Sequence, residues 1–190
     1  MSSTLDQLTT YRRLVTLNDG LRVLVRPLTK GDKEQLLRLF ARAPQEDLDY
    51  FRSDAGNPAV VASWCDALDY RKVFPIVAVV NDQIIGDATL HLSSSYNRHI
   101  GWVRLYLDRE FRRRGMGGLM LSGLIDIARK LGLQQLIAEV VTNQVLIIKA
   151  FQNLGFKDEF IYRDYFMTPQ GETLDVALLI LRLVENPTTF

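Results

Sequence analysis

The stretch Leu105-Tyr106-Leu107-Asp108-Arg109-Glu110-Phe111-Arg112-Arg113-Arg114-Gly115-Met116-Gly117-Gly118 carries an apolar strand through a basic turn into a helix. The helix reads on to Leu131, because Met116, Leu119, Gly123, Ile127 and Leu131 recur at helical spacing and Gly132 stands at the stop. Glycines at 115, 117 and 118 leave the main chain bare in the first helical turn. There the N–H groups lack intrahelical acceptors, and the helix dipole adds about half a positive charge. Flanked by Arg112, Arg113 and Arg114, the turn with its Met116, Gly117 and Gly118 amides is an anion site suited to a pyrophosphate or other multi-phosphate group. A Walker A loop would need a Gly-Lys-Ser/Thr ending, and a dinucleotide GxGxxG would need glycine where Met120 stands.

Upstream of this segment, residues 21–27 (LRVLVRP) read as a strand ending at a proline. Thr29 or Gly31-Asp32 caps a helix through Leu36, Leu37, Phe40 and Ala41, and Asn57-Pro58 opens another through Val61, Trp64 and Leu68. Between them, residues 44–56 (PQEDLDYFRSDAG) have the polar and aromatic composition of a mobile loop over a site. Residues 74–80, 84–91 and 98–107 form an antiparallel meander, with Asn81-Asp82-Gln83 as its first turn. Downstream come a strand at 136–141, a helix at 144–154 closed by Gly155, and strands at 156–167 and 174–184. The strands on either side of the helix that starts at Gly115 are joined through it, so they should be parallel neighbours with a right-handed crossover. The sheet is therefore mixed, with helices on its faces.

Composition bounds the function. With 190 residues, 47% apolar and 24% charged, the chain is a folded globular protein of about one ordinary domain. Folding at this length buries roughly 70% of the unfolded surface, so no disulfide or metal is needed for stability. Lys and Arg number 23 against 22 Asp and Glu, a net charge of +1 that argues against a nucleic-acid partner. One cysteine, Cys65, and two histidines, His91 and His99, supply no His/Cys metal spacing, and a reduced, cytoplasmic compartment fits. Residues 1–20 are polar with scattered leucines and have neither a signal stretch nor a membrane span. They read as an N-terminal leader before a single domain at 21–190.

Arg112-x-x-Gly115-x-Gly117 after a strand resembles the Gln/Arg-x-x-Gly-x-Gly/Ala acyl-coenzyme A signature of the GNAT superfamily of N-acetyltransferases. Leu105-x-Leu107, the helix to Leu131, Glu139-Val-Val-Thr-Asn143 and Asn153-Leu-Gly155-Phe156 are similar to successive motifs of that family, in order, over about residues 21–184. Residues 36–49 (LLRLFARAPQEDLD) are also similar to the start of bacterial protein-lysine acetyltransferase domains. The resemblance implies an α/β (α+β) fold. Its mixed, mostly antiparallel sheet would have about seven strands and about four flanking helices, with a V-shaped splay between the fourth and fifth strands. It implies acetyl-CoA as cofactor, with pantetheine lying in the splay as a strand mimic against the main chain of Leu105 and Leu107. Residues 112–118 would hold the pyrophosphate and Asn143 the pantetheine arm. Transfer would be direct, to the amine of a small molecule or to a protein lysine or N-terminus, with neither nucleic acid nor membrane as partner and with room for a homodimer. An amine near pKa 10.4 is neutral in only about one molecule in 2,500 at pH 7, so a base is needed.

Candidate bases are Glu139, on the strand facing the gap, and His91 or His99. The family often has a tyrosine acid four residues before its Gly-Phe pair, where this chain has Phe151, so either Tyr106 or a water would protonate the thiolate or the thiolate would leave unassisted. Protein-lysine acetyltransferases often carry a glutamate where this chain has Trp102. These two departures sustain a rival reading, a non-catalytic acyl-coenzyme A binding or sensing domain. Each residue also has a structural alternative. Glu139 can pair with a surface arginine, the histidines can be strand-surface residues, and the arginine run can be a solvated turn or a nucleic-acid patch, although Asp108 and Glu110 dilute it. Cys65 reads as a small buried apolar residue.

Overall fold

A computed structural model describes residues 4–184 of the chain. It begins with α1 (Thr4–Leu8), β1 (Arg13–Thr16), β2 (Arg22–Pro27), α2 (Lys33–Ala41), α3 (Gln45–Leu48) and α4 (Pro58–Asp66). The meander follows as β3 (Val73–Val80), β4 (Gln83–Leu92) and β5 (Ile100–Leu107), then α5 (Met116–Lys130), β6 (Gln135–Val141) and α6 (Val145–Gln152). Strands β7 (Lys157–Met167) and β8 (Thr173–Arg182) end the fold.

Local chemistry explains where these elements start and turn. Asn81 and Asp82 both adopt positive φ, 46° and 60°, and so form the two-residue hairpin turn between β3 and β4. Asn57 Oδ1 accepts from Ala59 N at 2.9 Å ahead of Pro58, which caps α4. Arg26 at the end of β2 grips Asp32 with two 2.7 Å bonds, which fixes the start of α2 against the sheet.

The eight strands lie in the order β1-β2-β3-β4-β5-β6-β8-β7, antiparallel except for β5 and β6. Those two pair only at Ile100, Gly101 and Trp102, facing Gln135, Leu136 and Ile137. Beyond Trp102 they part, although β5 stays paired with β4 as far as Leu107 and β6 with β8 as far as Val141. This is the expected V-shaped splay, between the fourth and fifth strands counted from residue 21.

Strand alternation sorts side chains to two cores. On one face, Leu136, Ala138 and Val140 pack with Met116, Met120, Leu124 and Phe151 under α5 and α6. Gly101 belongs here because an added Cβ would lie 2.6 Å from Leu90 Cδ1 and 2.8 Å from Leu133 Cδ1. On the other face, Val77, Ile84 and Tyr106 pack with Leu36, Phe40, Val61 and Cys65 under α2 and α4.

Of the segment read as a polar leader, residues 1–3 lie outside the described residues and 4–20 fold onto the sheet. Strand β1 pairs along its whole length with β2, and Leu8 of α1 is in the first core. Its polarity misleads because β1 is an edge strand whose residues alternate between half-buried and exposed. With α1, α3 and β1 added, the described residues hold eight strands and six α-helices against the expected seven and four. No helix among them is long and apolar enough to cross a membrane.

Buried Asp87 faces the second core from β4, and its Oδ1 has no hydrogen-bond partner among the described residues. Burial pushes its carboxyl up to about 7. A folded-state acid raised above its unfolded value stabilises least when both states have ionised, so stability should fall as pH rises from about 4 to about 7, by up to about 1.4 kcal/mol per unit. Urea unfolding of Asp87→Asn across this range should show a flatter profile and greater stability than the parent at pH 8. Parallel profiles would mean that Asp87 is ionised in the fold.

Candidate active site

The basic turn reaches α5 through two left-handed residues, Arg113 with φ 63° and Gly115 with φ 82°. Gly115 caps the helix, and the first bond of the ladder runs from Leu119 N to its carbonyl at 3.0 Å. The amides of Met116, Gly117 and Gly118 therefore lie ahead of the ladder, free to meet an anion. A Cβ on Gly117 would stand 3.3 Å from Leu105 Cδ2, and one on Gly118 would meet nothing within 4 Å. The helix end thus lies directly against the splayed part of β5, with bare main chain on the approach. A coenzyme A pyrophosphate and a strand-like pantetheine fit this combination of free amides and unpaired strand edge.

The three arginines have different roles. Arg112 donates Nε to the Leu107 carbonyl at 2.8 Å and pairs with Asp47 at 2.6 Å. One lone pair of the Leu107 carbonyl, expected to serve the cofactor, is thus already engaged. Arg114 pairs with Asp19 at 3.2 Å and lies over the Phe111 ring. Arg113 is exposed and has no partner among the described residues, so it is the cation most free to meet a phosphate.

Residues 44–56, read as a mobile loop, contain α3 and are tied to both sides of the splay. Asp47 binds Arg109 at 2.9 Å as well as Arg112 on the β5 side. Burial works against the Asp47 charge, but the two guanidiniums outweigh it and hold its carboxyl below the usual range. On the β6 side, Asn143 Nδ2 donates to the Tyr50 hydroxyl at 3.2 Å, and Arg52 pairs with Glu139. The Tyr50 ring also packs against Phe166 of β7.

The α2/α4 face of the splay collects the polar groups. Strand β4 sets Thr89 and His91 beside Arg104 and Trp102 of β5, and Glu139 rises from β6 on the same face. Thr89 Oγ1 and His91 Nε2 are 3.0 Å apart. Burial first, then the charges of Arg104 and Arg52, push the His91 imidazole down to about 4, so it is neutral at pH 7 and too weak a base to hold an amine's proton. His99 precedes the paired end of the two strands, where its carbonyl accepts from Gln134 N at 2.8 Å.

Tyr106 lies on the same face but within the second core, stacked on Phe40 at 5.2 Å and edge-on to Phe51 at 5.6 Å. Burial, helped by the nearby Asp47 charge, pushes its phenol up to about 12. Cys65 is buried in the same core, its thiol pushed up to about 11 mainly by burial, so it stays protonated and is no nucleophile. Phe151 faces the opposite core, edge-on to Phe156 at 5.0 Å. Sequence reasoning passed over Asp47, Arg52 and Arg104. For Arg104 a signal existed, a lone cation at an alternating position of the otherwise apolar IGWVRLYL.

A family model described as acetyltransferase (GNAT) family matches residues 34–156. Over 65 residues, the chain is 37% identical to a ribosomal protein bS18-alanine N-acetyltransferase of Salmonella typhimurium and 34% identical to that of Escherichia coli. The match covers 34% of this chain, which thus spans 44% of the length of these curated relatives. Among solved structures, ribosomal-protein-S5-alanine acetyltransferase from Vibrio fischeri superposes with a TM-score of 0.76 at 20% identity, over 86% of this chain and 94% of that one. The yncA protein of Salmonella typhimurium, solved with its cofactor acetyl-CoA, gives 0.73 at 20% identity, over 88% and 98%. These two share the fold. The family model spans the open β5–β6 edge, the basic turn and the strand that bears Glu139, and on this ground the chain belongs to the acetyltransferase (GNAT) family.

Proposed function

We propose that this chain is an acetyl-CoA-dependent N-acetyltransferase that acylates an amine directly. The observation that carries the reading is the coincidence of two main-chain features, the parting of β5 from β6 after Trp102 and the free amides of α5 at its mouth. The relatives with matching sequence are named for acetylating the alanine of a ribosomal protein, which makes a protein N-terminus one acceptor class to test beside small amines. A homodimer would bury the edge strand β7, where Phe160, Ile161, Tyr165 and Met167 are exposed.

Bound in the splay, acetyl-CoA supplies an activated acyl thioester. Met116, Gly117 and Gly118 hold its pyrophosphate through their amides, aided by Arg113, while Arg112 and Arg114 fix the turn. The free edge of β5 at Leu105 and Leu107 aligns the pantetheine, and Asn143 turns from the Tyr50 hydroxyl to its arm. Glu139 takes the proton of the attacking amine, directly or through a water, from the α2/α4 side. Tyr106 or a water returns a proton to the leaving thiolate. The phenol is in its protonated form throughout the working range.

Gly117→Val puts a branched side chain on the bare main chain beside Leu105, so acetyl-CoA affinity measured by calorimetry should fall at least about tenfold in a variant that circular dichroism shows to be folded. Parental affinity in this variant would remove the helix start from the binding site. General-base help is worth about 10² to 10⁴-fold, so Glu139→Gln should cut turnover at least about 100-fold with acetyl-CoA affinity retained. The parent rate should rise with pH as the amine loses its proton. A Glu139→Gln enzyme with the parent's pH–rate profile would exclude Glu139 as the base, and tight acetyl-CoA binding without thiol release to any amine would favour the binding-only rival.

A further inference from the structure

One cation in the splay has no counter-ion. Arg52 is satisfied by Glu139, and Thr89 and His91 are paired with each other. The side chain of Arg104, beside them on β5, is exposed and has no hydrogen bond or ion pair among the described residues. Its charged neighbour is Arg52, another cation, and the His91 imidazole next to both is neutral. Burial and the Arg52 charge both work against the Arg104 guanidinium, which nevertheless keeps its proton. Exposed at the opening and with a like charge as its neighbour, the guanidinium is open to an arriving anion.

The position also defines which anion. Arg104 stands two residues past Trp102, the last β5 residue paired with β6. It shares a face with Trp102 and Tyr106, whereas its neighbour Leu105 points to the opposite face, against Gly117. Arg104 therefore faces away from the phosphate-binding helix start and towards the side that holds Glu139. We infer that Arg104 binds a carboxylate carried by the acceptor, so that the substrates are amines with an acidic group a few atoms from the reacting nitrogen. A guanidinium fork matches a carboxylate with two parallel hydrogen bonds. Two sources share this chemistry, the α-carboxylate of a free amino acid and an acidic side chain following a peptide N-terminus. The inference builds on the acetyltransferase reading by specifying its acceptor.

Thiol release from acetyl-CoA is measured with two matched sets, free L-amino acids beside their carboxamides, and C-terminally amidated Ala-Glu-Ala beside Ala-Gln-Ala. In one set the acidic member should show a KM at least about tenfold below its neutral partner, the size expected of a charge-assisted contact. The set showing the gap identifies the source. Arg104→Gln should close the gap by raising the KM of the acidic member, Arg104→Lys should keep part of it, and both should bind acetyl-CoA as the parent does. No gap in either set, or an equal rise for both members in Arg104→Gln, overturns the inference. If no amine releases thiol, the acetyltransferase reading fails, and calorimetric titration of the same amino acids and peptides onto the coenzyme A-saturated protein still tests the pocket. Binding by the parent that Arg104→Gln loses upholds the anion site, and absence of binding by the parent overturns it.

Discussion

Strands β5 and β6 share three residue pairs and then separate, yet each keeps its other neighbour. A sheet tolerates an unpaired internal edge only if its exposed N–H and C=O groups meet water or a ligand, because burying them unpaired is costly. The opening is therefore a place that water or a ligand has to fill. It is held open from both sides, by the β3–β4–β5 meander and by the β6–β8–β7 sheet, so a ligand finds the edge preformed.

The two faces of this opening divide the chemistry. Towards α5 the surface is bare main chain, with glycines where a side chain would intrude, and it suits a phosphate and an extended chain. Towards α2 and α4 it is lined by side chains that carry charge, Arg52, Arg104 and Glu139, beside a neutral His91. The segment at 44–56 spans both, since Asp47 holds the arginines of the turn while Tyr50 and Arg52 reach Asn143 and Glu139. In these ion pairs the arginines are exposed and the carboxylates partly buried, so the strap is positioned by several contacts acting together.

Some departures from the family pattern have a packing reason. Phe151, where a tyrosine is usual, faces the first core against Phe156 on the α5/α6 side, so an aromatic ring there is held by apolar contact and needs no hydroxyl. Tyr106 keeps its hydroxyl but spends its ring on Phe40 and Phe51. Glu139 alternates out of a strand whose neighbours Ala138 and Val140 are core, and this alternation delivers it to the opposite face.

The amino-acid sequence by itself determined the glycine-rich helix start, the meander with its Asn81-Asp82 turn and the parallel crossover through α5. Each is local, set by turn chemistry, periodicity and the handedness of the connection. It also marked Glu139 and Asn143 as candidates, because they follow the strand that must lie across the gap. Only the tertiary structure decided that β1 joins the sheet, since an edge strand with half-exposed alternation resembles a polar leader. It alone decided which charges meet. Arg112 turns to Asp47, Arg52 to Glu139, and Arg104 is left without an anion through contacts between segments about 60 to 90 residues apart in the chain, a separation that no local pattern encodes.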